Sequence, residues 1–184
     1  MARSSSGLRE RLLASALRLF VQHGYRGTSL ADIAADVGCS KASLLYHFSN
    51  KKMLLAELLL PASWEASKLI ARLEHLDGRA ATVAATGGFA DLSLRFRREI
   101  KLLFDNLGDL ASLPELGVEG VEDIGEQLID AMAGRSAEPN ARVAALMALS
   151  GIFLTSAAEL PYDDETLREA MTAAALRTLG RTGA

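Results

Sequence analysis

The chain has 184 residues, with 20 Lys+Arg against 23 Asp+Glu, for a formal charge of −3. Apolar residues make up 49% and charged residues 23%, which excludes a disordered chain and suits a soluble globular one. Leu (32) and Ala (31) far outnumber Val and Ile (12 together), so the composition argues against a sheet and for an all-α fold. One cysteine leaves no disulfide framework and no multi-cysteine metal site. The N-terminus has no apolar signal-peptide core, and a cytoplasmic location is expected.

The charge is unevenly distributed. Residues 1–53 hold eight Lys/Arg and three acids, a net +5, and the remainder nets −8. A basic head (1–53) on an acidic body (54–184) implies two jobs in one chain. Residues 1–7 are small and polar and are expected to be a disordered lead. From Leu8, apolar positions Leu12, Leu13, Ala16, Leu17, Phe20 and Val21 recur at three and four, the helical period. Gly24 ends that helix. Thr28 or Ser29 caps a second, with Leu30, Ile33, Ala34 and Val37 on one face and Gly38 at its end. Ser40 caps a third short helix carrying Ala42, Leu44, Leu45 and Phe48. Ala34 is small enough for a close helix crossing, and Ile33, Val37, Leu44 and Phe48 can share a core. Two short helices joined by a glycine turn form a helix-turn-helix pattern. That packing leaves Lys41, Ala42, Ser43, Tyr46 and His47 facing outward, and such a helix can enter a major groove.

From Lys51 to about Leu76 the pattern is helical, with a kink or break expected near Glu57–Pro61. Asp77-Gly78 reads as a loop. Helices follow at about 79–95, with a weak point at Gly87-Gly88, and at 97–110. Pro114, Gly117 and Gly120 break the chain before a helix over 119–133. Pro139 opens the next helix, and residues 143–158 carry no charge. That uncharged run is short and polar for a membrane span, so it reads as a buried helix, and no membrane partner is expected. Asp163 or Asp164 caps a last helix with Leu167, Met171, Ala174 and Leu179 as its stripe.

The stretch FVQHGYRGTSLADIAADVGCSKASLLYHFSNKKMLL (20–55) resembles the DNA-binding segment of TetR-type transcriptional regulators. Phe20, Gly24, Thr28, Asp32-Ile33-Ala34, Gly38, Ser40-Lys41, Tyr46-His47-Phe48 and Lys51 fall at that family's spacing. The resemblance covers about residues 8–58; the rest agrees only in size and helical character. It implies a DNA-binding regulator, most simply a repressor, with a palindromic double-stranded operator, a homodimer and a small-molecule effector. It places residues 40–46 in the major groove, with Ser40 among the DNA-binding residues and base reading at Lys41, Ala42 and Ser43. Phosphate contacts fall at His47 and Lys51, with Thr28 anchoring a phosphate at a helix N-terminus and Tyr46 as a further backbone contact. Leu45 departs from the family, standing where many members carry a DNA-contacting tyrosine.

In such proteins the last two helices pair across a twofold axis. A small-residue stripe, Ala144, Ala148, Gly151 and Thr155, is the candidate surface here, and packing of that stripe inside one chain is the alternative. Candidate ligand-binding residues in the body are Trp64, Phe89, Phe96, Phe104, Met147 and Phe153, with Asn106, Gln127 and Thr155 as polar anchors. Plain core packing is the competing reading for each. Few charges fall there, which favours a mostly apolar effector. No cofactor or metal is expected: Cys39 is lone, His23 ends a helix, and His75 beside Asp77 reads as a solvated loop pair. No enzyme motif stands out, so the chain is not expected to be an enzyme. A small helical enzyme or a protein-interaction module using the body's pocket is the alternative.

Overall fold

The computed structural model describes residues 2–105 and 119–180. Among these residues there are nine helices and no strand. They fall into two compact units.

The first unit holds residues up to Pro61 and the stretch that begins at Lys101. Its helices are α1 (Ala2–His23), α2 (Leu30–Val37), α3 (Lys41–His47) and the first half of α4 (Lys51–Leu73). The expected disordered lead is instead the start of α1. No proline interrupts residues 2–23, and a helix anchored by its packed turns propagates at one hydrogen bond per residue. Leu12, Ala16 and Phe20 of α1 bury against Ile33 and Ala34 of α2 and Leu44 of α3. Phe48, Leu54 and Leu58 close this core, with Val37 and Cys39 half-buried at its edge.

Pro61 does not break α4, which runs on to Leu73. An interior proline costs about 3 kcal/mol or more in a regular helix. Buried apolar residues flank it on both sides: Leu54, Leu55 and Leu58 before it, Ala66 and Leu69 after it.

The second unit comprises Ala62–Ile100 and the chain from Glu119. It contains the rest of α4, α5 (Gly78–Arg95), the start of α6 (Arg97–Asp105), α7 (Glu119–Met132), α8 (Pro139–Ala157) and α9 (Asp164–Thr178). The expected weak point at Gly87-Gly88 is continuous helix. A Cβ on Gly88 would lie 2.4 Å from Leu69 Cδ1, so the glycine admits a close crossing of α4 and α5. The core of this unit draws Leu73, Phe89, Leu128, Met132, Ile152 and Met171 from five helices. Arg135 ties the C-terminal end of α4 in place: Nη2 donates to Leu73 O (2.8 Å) and Nη1 to Asp130 (2.5 Å).

Helix α8 has 19 residues and a mean hydropathy of 1.3, long and apolar enough by composition to cross a membrane. Ala145, Ala148, Ile152 and Ser156 set one of its faces into the core of the unit. The opposite face leaves Val143 57%, Leu146 50%, Met147 63% and Leu154 51% exposed. The small-residue stripe is therefore divided: Ala148 is buried inside the chain, Ala144 and Thr155 are half-buried, and Gly151 is exposed.

Candidate nucleic-acid interface

Both short helices of the head are fixed at their ends by their own sequence. Ser29, not Thr28, caps α2: its hydroxyl accepts from Asp32 N (3.1 Å), and the Asp32 carboxylate accepts from Ser29 N (2.8 Å). This reciprocal capping box satisfies two amides that a helix start leaves unpaired. Gly38 ends α2 at φ +74°, the left-handed region in which a side chain is strained. Ser40 caps α3 by accepting from Ser43 N (3.0 Å), and the two serine hydroxyls lie 2.9 Å apart.

With Leu44 and Phe48 buried, α3 turns its other side to solvent. Lys41 and Ala42 are exposed, Ser43 and His47 half-buried, and Tyr46 is 84% exposed. The Tyr46 and His47 rings meet edge to face at 5.3 Å. Leu45 is 40% exposed, which puts a methyl-bearing surface where a hydroxyl would otherwise sit. The structure thus gathers Lys41, Ala42, Ser43, Tyr46 and His47 on one short helix, with Ser40 holding its start.

Thr28 and Lys51 lie behind this face, within the head. Thr28 is buried, and its hydroxyl lies within hydrogen-bonding distance of Leu19 O (3.2 Å) and Gly24 O (3.0 Å) at the end of α1. Lys51 Nζ donates to Tyr25 O (2.7 Å) and Thr28 O (2.9 Å) and lies 4.3 Å from the Tyr25 ring centroid. Two bonds to carbonyls and a cation–π contact make Lys51 a strut between α4 and the α1–α2 turn. Thr28 and Lys51 thus each have hydrogen-bond partners within the head. Lys52, which the sequence marked only as a charge, is exposed in the first turn of α4.

Two further links in the head carried no sequence signal. Ser15 Oγ donates to Asp36 Oδ2 (2.5 Å), and Arg18 pairs with the same oxygen (2.5 Å), joining α1 to α2. The Ser15 hydrogen bond and then Arg18 hold the Asp36 carboxyl below its usual range. Asp32 is likewise held low, chiefly by the Ser29 amide and then its hydroxyl. Arg9 pairs with Glu57 (2.6 Å), and its guanidinium lies 5.2 Å from the Phe48 ring centroid. These partners sit 21 and 48 residues apart, beyond any local pattern.

The body's candidate ligand residues are dispersed. Phe89 and Phe96 are buried, Phe153 and Thr155 are half-buried, and Gln127, Trp64 (65%) and Met147 (63%) are exposed. Asn106 and the Phe104 side chain lie outside the described residues. None of those described lines the cleft of about 450 Å³ between α4 and α5, whose floor is Leu69, Leu73, Leu76, Ala84 and Leu92. Among the described residues no cluster of three His, Cys, Asp or Glu could hold a metal ion.

The sequence profile of the bacterial regulatory proteins of the tetR family matches residues 12–58. That segment belongs to the tetR family. The tetR-family head is 45% identical over 47 residues to the biofilm operon icaADBC HTH-type negative transcriptional regulator IcaR of Staphylococcus aureus. That match covers 26% of this chain and 25% of the relative. The IcaR of Staphylococcus epidermidis is 42% identical over 45 residues, 24% of each chain. The chain thus spans about a quarter of the length of the curated relatives it matches. Solved structures extend the likeness beyond the tetR-family head. SCO3833, a TetR-family member from Streptomyces coelicolor, superposes with a TM-score of 0.76 over 94% of this chain and 91% of its own, at 18% identity. The ketosteroid transcriptional regulator KstR2 of Mycobacterium tuberculosis gives 0.75 over 94% and 93%, at 17% identity. Mycobacterium smegmatis AmtR gives 0.59 over 96% and 87%, at 27% identity. At the identities of the first two, what is shared is the fold.

Proposed function

We propose that the chain is a sequence-specific transcriptional repressor that acts in the cytoplasm. It binds a palindromic double-stranded operator as a homodimer and is released by a small molecule held in the body. The observation that carries this reading is the exposed face of α3, displayed by a doubly capped head that matches the family over residues 12–58. Lys41, Ala42 and Ser43 read base edges in the major groove. Tyr46, His47 and the exposed Lys52 meet the sugar-phosphate backbone. Ser40, Thr28 and Lys51 hold this surface in shape from behind.

A palindromic site requires a twofold protein. The apolar face of α8 supports the dimer, because Val143, Met147 and Leu154 recur on the side away from the core. Exposed apolar side chains aligned on one helix mark a partner surface. An effector releases DNA only by binding the two states of the protein with different affinity.

Selection of binding sites from random DNA by the full chain, followed by gel shifts with upstream intergenic DNA, tests the reading. A twofold-symmetric consensus is expected. Absence of sequence preference at every salt concentration would refute it.

A further inference from the structure

We propose that the α4–α5 cleft binds a small amphipathic anion: an apolar body bearing one carboxylate or similar group. This rests on the preceding section for its regulatory meaning and names the class of effector. The cleft, about 450 Å³, lies in the size range of small-molecule sites, and five aliphatic residues form its floor.

The cleft is also edged by charge, two acids and two cations that do not hydrogen-bond one another. Glu65, Arg72, Asp91 and Arg95 line it. Each acid already has a cation from outside the lining. Arg168 Nε donates to Asp91 Oδ1, and its Nη2 to Oδ2 (3.3 Å). Lys68 Nζ donates to Glu65 Oε1 (2.9 Å). The two lining guanidiniums are less committed. Arg95 stands 3.9 Å from Glu65, too far for a hydrogen bond, and its guanidinium lies 5.1 Å from the Phe96 ring centroid. Arg72 is exposed and reaches Glu65 only through its field. The lining itself holds two guanidiniums and two carboxylates, and the carboxylates take their hydrogen bonds from Lys68 and Arg168, which leaves the two lining guanidiniums without a hydrogen-bonded carboxylate beside the aliphatic lining. A carboxylate offers the oxygens that guanidinium forks bind best, and an aliphatic or aromatic body covers the leucines. A cationic head forgoes the guanidinium forks, and a strongly polar body forgoes the leucines.

Isothermal titration of the full chain with decanoate, 2-naphthoate and decyltrimethylammonium tests the assignment. At least one anion is expected to bind with a dissociation constant below about 1 mM, and the cation on the order of tenfold more weakly. The double variant Arg72→Gln/Arg95→Gln changes two exposed side chains. It is expected to lose on the order of tenfold or more in anion affinity and little for the cation. Failure of both anions to bind, equal affinity for both charges, or anion binding unchanged in the double variant would each overturn the proposal. The regulator reading is scored separately, by site selection on the wild-type chain without ligand. Anion binding with this profile but no selected DNA sequence sinks that reading and leaves the cleft assignment standing. A selected sequence with no anion binding does the reverse.

Discussion

Lys51 offers the sharpest test of how the head is built, because two roles predict opposite signatures. Lys51→Met keeps most of the aliphatic stem over Tyr25 and removes the ammonium. It deletes hydrogen bonds of 2.7 and 2.9 Å to Tyr25 O and Thr28 O, together with the contact on the Tyr25 ring. Hydrogen bonds to a charged group contribute about 1.5–3 kcal/mol each, and a partly exposed cation–π contact about 0.5–1 kcal/mol. The site is half-buried, so the two carbonyls recover some hydration; the expected net loss is about 2–3 kcal/mol. For a chain of this size that corresponds to a fall in Tm of roughly 5–10 °C by scanning calorimetry. The companion measurement is the salt dependence of DNA affinity, taken well below the melting range. Removing a phosphate contact lowers the slope of log K against log salt by about 0.9, whereas removing an internal strut leaves it unchanged. A variant with unchanged Tm and a slope smaller by about one would refute the strut and restore Lys51 to the phosphate-gripping role that its position in the sequence implied.

Four further outcomes are expected. Lys41→Ala and Tyr46→Ala change exposed side chains, so chemical denaturation should place both within about 0.5 kcal/mol of wild type while gel shifts show weakened DNA binding. Ser43→Ala should alter the selected base sequence. Asp32 and Asp36 are held below their usual pKa, so their contribution to stability is present above about pH 4 and is lost as pH falls through the folded-state values. Asp32→Asn/Asp36→Asn should flatten the acid limb of a pH-dependent melt, and an unchanged acid limb would count against these two contacts. Met147→Lys with Leu154→Glu should convert a dimer to a monomer in sedimentation velocity without loss of helix content. A variant that still sediments as a dimer would move the interface off the exposed face of α8.

Much of the head was legible because its determinants are local. A Ser29 hydroxyl three residues before Asp32, a glycine at position 38 and a serine at position 40 fix helix ends within a few residues of themselves, and the structure places α2 and α3 where those signals put them. The uncertain ends were those with no such local signal. Residues 2–7 are small and polar in sequence apart from Arg3, with no apolar period to announce a helix, yet α1 extends through them by propagation from the turns anchored at Leu12, Ala16 and Phe20. Pro61 is a strong local signal, yet the helix is not broken there and α4 continues to Leu73.

What the sequence could not resolve was which partner a polar group takes and which face of a helix is covered. Thr28 and Lys51 stand at the family's positions, and spacing alone could not distinguish a hydroxyl aimed at a phosphate from one lying beside Leu19 O and Gly24 O. Helix α8 poses the same problem on a larger scale. Its apolar residues surround it so evenly that no single stripe dominates residues 143–158, and small residues seemed the best guide to a helix–helix surface. Small residues mark close approach, not the identity of the neighbour that approaches. Ala145, Ala148 and Ile152 meet helices of the same chain, while the bulkier Val143, Met147 and Leu154 point away from them. A helix apolar on all sides needs cover on all sides. One chain covers only one face of it here, so the physical demand for a second surface comes from the exposed large side chains rather than from the small ones.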